Sequence, residues 1–221
     1  NGETRDSHLS GFTLMNGIGD NEPNHIGGGV YIENSSPTIS SCIVSGFSQY
    51  YYGAGISIIY DSFPLLNKLI VRDNLAYHGG GIAILETAGA EITNTLVYNN
   101  HAVNGMGGGI YCDNPSTYSN PLFIINCTII NNISDGLYEQ FYGGGLFTYR
   151  SGSTTQVLNS ILWGNSPNQV QDKEDILIPT QVFYSDIEGE YSGVGNISID
   201  PGFIDNPNEN YSLLASSLCI N

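Results

Sequence analysis

Short apolar strings alternate along the chain with glycine, asparagine and serine, and nowhere does an apolar stripe recur with the 3.6-residue period of a helix. The strings are of two kinds. One follows a glycine cluster: IGGGVYI (26–32), YGAGISI (52–58), HGGGIAIL (78–85), MGGGIYC (106–112) and YGGGLFT (142–148). The other is framed by asparagine or small polar residues: SSCIVSG (40–46), NKLIVRD (67–73), NTLVYNN (94–100), NCTIINN (126–132) and NSILWGN (159–165), with an earlier copy, SGFTLMN (10–16). The glycine clusters begin at 27, 53, 79, 107 and 143, so the pattern recurs after 26, 26, 28 and 36 residues.

One period therefore holds two short strands and no helix, which excludes helical repeats and βαβ units. A propeller blade needs about 40 residues and four strands. A period in the mid-twenties fits one coil of a right-handed parallel β-helix, in which coils stack at the strand spacing of about 4.8 Å. The expected fold is all-β, a single domain over 1–221 with about seven coils: regular coils over 1–165, then irregular last coils and a C-terminal cap over 166–221. Stacking places Val30, Ile56, Ile82, Ile110 and Leu146 in one interior ladder, and Ile32, Ile58, Ile84, Cys112 and Thr148 in a second. The framing positions form two polar columns, Ser10, Ser40, Asn67, Asn94, Asn126, Asn159 and Asn16, Gly46, Asp73, Asn100, Asn132, Asn165, whose amides are expected to stack from coil to coil. Solenoid insertions, here SQYYY (48–52), HAVN (101–104), NPSTYSNP (114–121) and ISDGLYEQFY (133–142), often carry the binding surface.

Composition narrows the partners. Five Lys and Arg stand against 21 Asp and Glu, a formal charge of −16 that repels phosphate backbones and anionic membranes, so nucleic acid is excluded. No run approaches the roughly 20 apolar residues of a membrane span, so no membrane insertion is expected, and the chain is expected to be monomeric. The four cysteines (Cys42, Cys112, Cys127, Cys219) lack metal-ligand spacing and read as free thiols, three of them in apolar runs. With a repeat already running by Ser10 and no apolar leader before it, the chain reads as a piece of a longer secreted protein.

The pairing of GGGI with an N-x-x-Φ-x-x-N element resembles the β-helix repeats of secreted and surface bacterial proteins of the pectin-lyase-like superfold. It is similar to the GGAI and FxxN repeats of polymorphic outer-membrane proteins. The tail YSDIEGEYSGVGNISIDPGFID (184–205) resembles the end of the β-helix region in large extracellular proteins. The resemblance implies an extracellular or cell-surface location and either a binding or structural module or a polysaccharide-degrading enzyme, since this fold hosts both.

Few residues suit catalysis. A lyase base would have to be Lys68 or Arg72. A hydrolase acid pair would have to be Glu33 and Asp113, three coils or about 14 Å apart, beyond the roughly 6.5–9.5 Å of an inverting pair. His8, His25, His78 and His101 show no ligand spacing. No cofactor is expected; Asp186, Glu188, Asp200 and Asp205 in the acidic tail are the candidate calcium ligands. The strongest chemical signal is aromatic: Tyr31, Tyr111, Phe147 and Tyr149 on outward strand positions, with Tyr51 and Tyr142 in insertions, suit stacking on a polysaccharide or contact with a surface protein. The reading favoured by the sequence is a non-catalytic binding module or stalk, with a polysaccharide lyase or glycoside hydrolase as the alternative.

Overall fold

A computed structural model describes residues 2–19, 27–136 and 143–220. The backbone is a parallel β-solenoid whose helical content among those residues is one 3-10 turn, Asn206–Asn208. Three sheets form the walls. Sheet I stacks Val30–Glu33, Ile56–Ile59, Ile82–Leu85, Ile110–Asn114, Leu146–Ser151 and Val170–Asp172. Sheet II stacks His8–Ser10, Thr38–Ser40, Leu65–Asn67, Ala90–Thr93, Leu122–Ile125, Thr155–Leu158 and Gln181–Phe183. Sheet III stacks Thr13–Met15, Ile43–Ser45, Ile70–Arg72, Leu96–Tyr98, Thr128–Ile130, Ile161–Trp163 and Asp186–Ile187. Six strands in sheet I make about six complete turns, one fewer than the sequence suggests, because residues 8–15 contribute strands to sheets II and III only.

Both interior ladders of sheet I stand in the expected register. Val30, Ile56, Ile82, Ile110 and Leu146 pair in sequence, as do Ile32, Ile58, Ile84, Cys112 and Thr148. They join Leu66, Ile92, Ile124 and Val157 from sheet II and Val44, Val71, Val97, Ile129 and Leu162 from sheet III in one continuous core. Period-two strands of β-branched and leucine side chains bury alternate residues, and each added coil buries one more layer.

The asparagine columns divide into two different devices. The first column sits at the corner between sheets II and III in the left-handed region: Gly11, Ser41, Lys68, Asn94, Asn126, Asn159 and Tyr184 have φ between +47° and +78°. Asparagine recurs there because it tolerates that conformation better than other side-chain-bearing residues. In coil register the column passes through Gly11, Ser41 and Lys68 rather than Ser10, Ser40 and Asn67, a shift of one residue from the sequence alignment in the first three copies. Asn94 and Asn126 are exposed, so the expectation of a buried amide stack there is corrected.

The buried stack runs instead through Asn74, Asn100, Asn132 and Asn165, all at most 5% exposed. Asp73 belongs one residue earlier, in a second left-handed column with Asn16, Gly46, Asn99, Asn131 and Gly164. Each stacked amide donates from Nδ2 to the Oδ1 of the next coil's asparagine at 2.9 Å, and Asn165 passes the chain to Gln169. The same Oδ1 atoms accept the backbone N–H of Asn74, Asn100 and Asn132 at 2.9–3.1 Å. The second amide hydrogen goes to a carbonyl, those of Val44, Val71, Val97 and Ile129 in turn.

The glycine clusters are shaped by this stack. A Cβ on Gly109 would lie 2.7 Å from the Gly145 carbonyl oxygen and 3.1 Å from the Asn132 amide, and Gly81 meets Asn100 in the same way. The third glycine thus leaves the space that the amide fills at Gly55, Gly81, Gly109 and Gly145, whereas at Gly29 the Phe47 ring takes that place. The first glycine, Gly107 for example, turns the chain at φ +68°.

At the C-terminal end the expected cap splits into two parts. Half-buried Tyr191 packs on the last core layer and donates to the Thr180 carbonyl at 3.2 Å; burial pushes its phenol up to about 12. The hairpin Phe203–Asp205 and Asn210–Leu213 lies against the flank of sheet III, where Tyr211 packs with Tyr98 and Ile130.

Asn100→Ala and Asn132→Ala are each expected to lower stability by about 1–3 kcal/mol, because the neighbouring amides lose buried partners. Asn126→Gly, at an exposed left-handed corner, is expected to stay within about 0.5 kcal/mol of wild type. Urea midpoints at equal m-value check the order.

Candidate ligand-binding surface

The chain between sheet III and each glycine cluster forms a fourth, narrow sheet of Leu75–Ala76, His101–Ala102 and Ile133–Ser134, extended by bridges from Ile18 to Ser48 and from Ser48 to Leu75. SQYYY (48–52) and HAVN (101–104) lie at this corner, whereas NPSTYSNP (114–121) joins sheet I to sheet II. The Tyr52–His78 bridge aligns Tyr51 with Tyr77 one coil apart. Tyr50 and Tyr77 are 59% and 41% exposed, and Tyr50 meets half-buried Tyr51 edge-on at 4.9 Å. Between them opens a groove of about 320 Å³ lined by Tyr50, Tyr77, Leu75, Val103, Gln49 and Asn104, among others. Beside it His101 Nε2 lies 2.9 Å from Asp135 Oδ2, and Asp135 accepts the Asn104 backbone N–H. Flat tyrosine rings with polar tips, beside amide donors and acceptors, can contact both the C–H faces and the hydroxyls of a sugar chain.

Sheet I's outward face differs from the sequence expectation. Tyr111 is 3% and Phe147 0% exposed, so neither ring is available for stacking on a ligand. The turns into the glycine clusters fold back over the strands, bringing Tyr52 and Met106 onto Ile59, Ala83 and Leu85 as a second apolar layer. Within it His78 stacks on Tyr52 at 5.3 Å and on Tyr111 at 4.8 Å, and Tyr111 lies parallel to Phe147 at 6.1 Å. Tyr31, by contrast, is 47% exposed at the first strand. Tyr149 is half-buried between two cations, with Lys173 Nζ 4.1 Å and Arg150 Cζ 5.6 Å from its ring centre. Tyr142 lies outside the described residues.

The candidate catalytic and metal residues do not converge. Lys68 is an exposed corner residue. Arg72 pairs with Asp73 at 3.1 Å and reaches Glu209 at 3.6 Å, tying down the C-terminal hairpin together with Tyr98 and Asn99. Glu33 and Asp113 are three strands apart in sheet I, and Asp113 makes a bidentate pair with Arg150. Of the acidic tail, Asp186 accepts from the Ile199 N–H and the Cys219 thiol, Glu188 from Gly164 and Gln169, Asp200 from Gly202, and Asp205 from Asn208. Among the described residues no group of three or more His, Cys, Asp or Glu is placed to hold a metal ion. Sequence reasoning singled out Tyr51 at this corner but not Tyr77 or Asn104; the one-coil spacing of Tyr51 and Tyr77 was the available signal.

His78 gives this layer a pH dependence. Its Nδ1 accepts the Met106 N–H at 3.0 Å, and burial pulls its pKa from 6.5 down to about 4. The folded state therefore holds the neutral ring. Its contribution is complete above about pH 6.5 and is lost as pH falls through about 4. The full loss below the folded pKa corresponds to roughly 3 to 3.5 kcal/mol. The stability difference between wild type and His78→Phe is expected to move in favour of the variant between pH 6.5 and 4, read from denaturant midpoints at stepped pH; a constant difference would contradict the assignment.

Among the described residues no helix is long and apolar enough to cross a membrane. No curated protein and no solved structure matched the sequence. A family model described as a right handed beta helix region matches residues 8–175, which covers all the coils through the last strand of sheet I. With the parallel register, the stacked core and this match over most of its length, the chain belongs to the right-handed β-helix family.

Proposed function

We propose that the protein is a non-catalytic, extracellular or cell-surface β-helix module of bacterial type that binds a polysaccharide at the tyrosine corner. The observation that carries this reading is the pair of exposed tyrosines, Tyr50 and Tyr77, bordering a groove with amide-bearing walls. The solenoid supports it by fixing the two rings on neighbouring coils, so that little conformational freedom is lost on binding. The dispersal of Lys68, Arg72, Glu33 and Asp113 speaks against a lyase or an acid-pair hydrolase. The extracellular placement rests on the resemblance of the paired glycine and asparagine motifs to secreted and surface repeats.

The test is a glycan array combined with an ultraviolet assay for unsaturated uronates over pectate, alginate and chondroitin, with and without calcium. Binding without turnover is expected, and Tyr50→Ala and Tyr77→Ala are each expected to weaken it about tenfold, the worth of one stacked ring. Uronate products lost in Lys68→Ala or Arg72→Ala would replace this reading with a lyase.

A further inference from the structure

A second recess lies on a different corner, between sheets II and III, along the exposed left-handed column. Two cavities, of about 580 and 310 Å³, share Asn126 as a wall and together form a trough beside the C-terminal tail. Asn94, Asn126 and Asn159 line it, one per coil and therefore about 4.8 Å apart along the axis. Their positive φ holds all three side chains on the same corner. The amides of Asn126 and Asn159 make no side-chain hydrogen bond to another described residue, whereas the buried stack through Asn100 and Asn132 is fully paired. The column ends at Tyr184, 61% exposed, and Leu96, Ile197 and Leu218 supply apolar surface in the walls of the trough.

The charges in the trough are Asp186 and Glu209. Glu209 is engaged by Tyr98 and Asn99, and Asp186 by Cys219 and the Ile199 N–H. No cation lines the trough among the described residues, so an anionic ligand would meet only carboxylates. An axial row of amides, with Asn126 and Asn159 open and Asn94 keeping one amide hydrogen and its oxygen beyond its 3.0 Å bond to Asn67 Oδ1, suits a polymer that presents hydroxyls at a repeat close to one coil, with apolar C–H faces between them.

We propose that this trough is a second binding site, for a linear, uncharged, hydroxyl-rich polysaccharide lying parallel to the solenoid axis. It does not depend on the tyrosine corner. An extended peptide is the other chain of similar width. It is disfavoured because its backbone repeat alternates sides every residue, while the amide row offers one partner per coil on one side only.

The test follows the side-chain NH₂ signals of Asn94, Asn126 and Asn159 by NMR during titration with cellohexaose, xylohexaose and mannohexaose. Trigalacturonate and a Ser/Thr-rich extended peptide serve as comparisons. At least one neutral hexaose is expected to shift all three amides and the Tyr184 ring. The double variant Asn126→Asp/Asn159→Asp keeps residues that accept positive φ, and it is expected to weaken that binding about tenfold. Tyr50→Ala/Tyr77→Ala is expected to leave it unchanged. The proposal is overturned if no neutral hexaose moves these signals, if trigalacturonate or the peptide moves them instead, if the aspartate pair binds as tightly as wild type, or if only the tyrosine pair abolishes binding.

Discussion

A carboxamide taken out of water must find partners for two donor hydrogens and an oxygen, or it costs several hydrogen bonds' worth of free energy. The solenoid depends on meeting that requirement once per coil. Asn74, Asn100, Asn132 and Asn165 do so by bonding to each other, to a backbone N–H of the preceding coil (that of Phe47 for Asn74, that of the stacked asparagine for the others) and to a carbonyl one coil away. An apolar side chain in that place would fill space without fixing height. The amide does both, so the coil spacing and the register of the adjoining sheets are set from the corner outward. The glycine clusters are the complement of this choice, since a side chain on Gly81 or Gly109 would occupy the volume of the amide and press on the next coil's carbonyl.

With the walls fixed in this way, variation is left to the corners. The corner that carries SQYYY and HAVN displays Tyr50, Tyr51 and Tyr77, and also folds Tyr52, His78 and Met106 back over sheet I to make a second apolar layer. The corner between sheets II and III carries no insertion and keeps its exposed asparagines in a straight column. Both surfaces inherit their spacing from the coil rise, so a ligand that engages either would be a chain laid along the axis, not a small molecule held in a deep pocket.

The register of sheet I was legible from the sequence because glycine clusters recur at fixed offsets from alternating apolar residues, and Ile56, Ile82 and Ile110 follow directly. The asparagine columns were only partly legible. A left-handed corner and a buried amide stack both select asparagine, one for its backbone and one for its side chain, and spacing alone does not separate Asn94 from Asn100. In NKLIVRDN the neighbours Asp73 and Asn74 fill the two roles in succession, and starting the frame at Asn67 instead of Lys68 displaced the column by one residue. Tyr111 and Phe147 expose a different limit. Period-two alternation says which side of a strand a residue faces, but not whether another segment covers that side. The layer over them comes from turns whose return path is not encoded in local periodicity.

The central claim is that the buried amides carry the solenoid's corner, and backbone hydrogen exchange at Asn100 in Asn132→Ala reads it most directly. The Asn100 N–H donates to Asn132 Oδ1 at 3.0 Å, whereas the N–H of Leu96 donates to the Leu69 carbonyl within the sheet framework. The account predicts that Asn100 loses its protection in the variant while Leu96 keeps most of its own. Protection at Asn100 equal to that of wild type would show that the strands set the coil spacing without the amide stack.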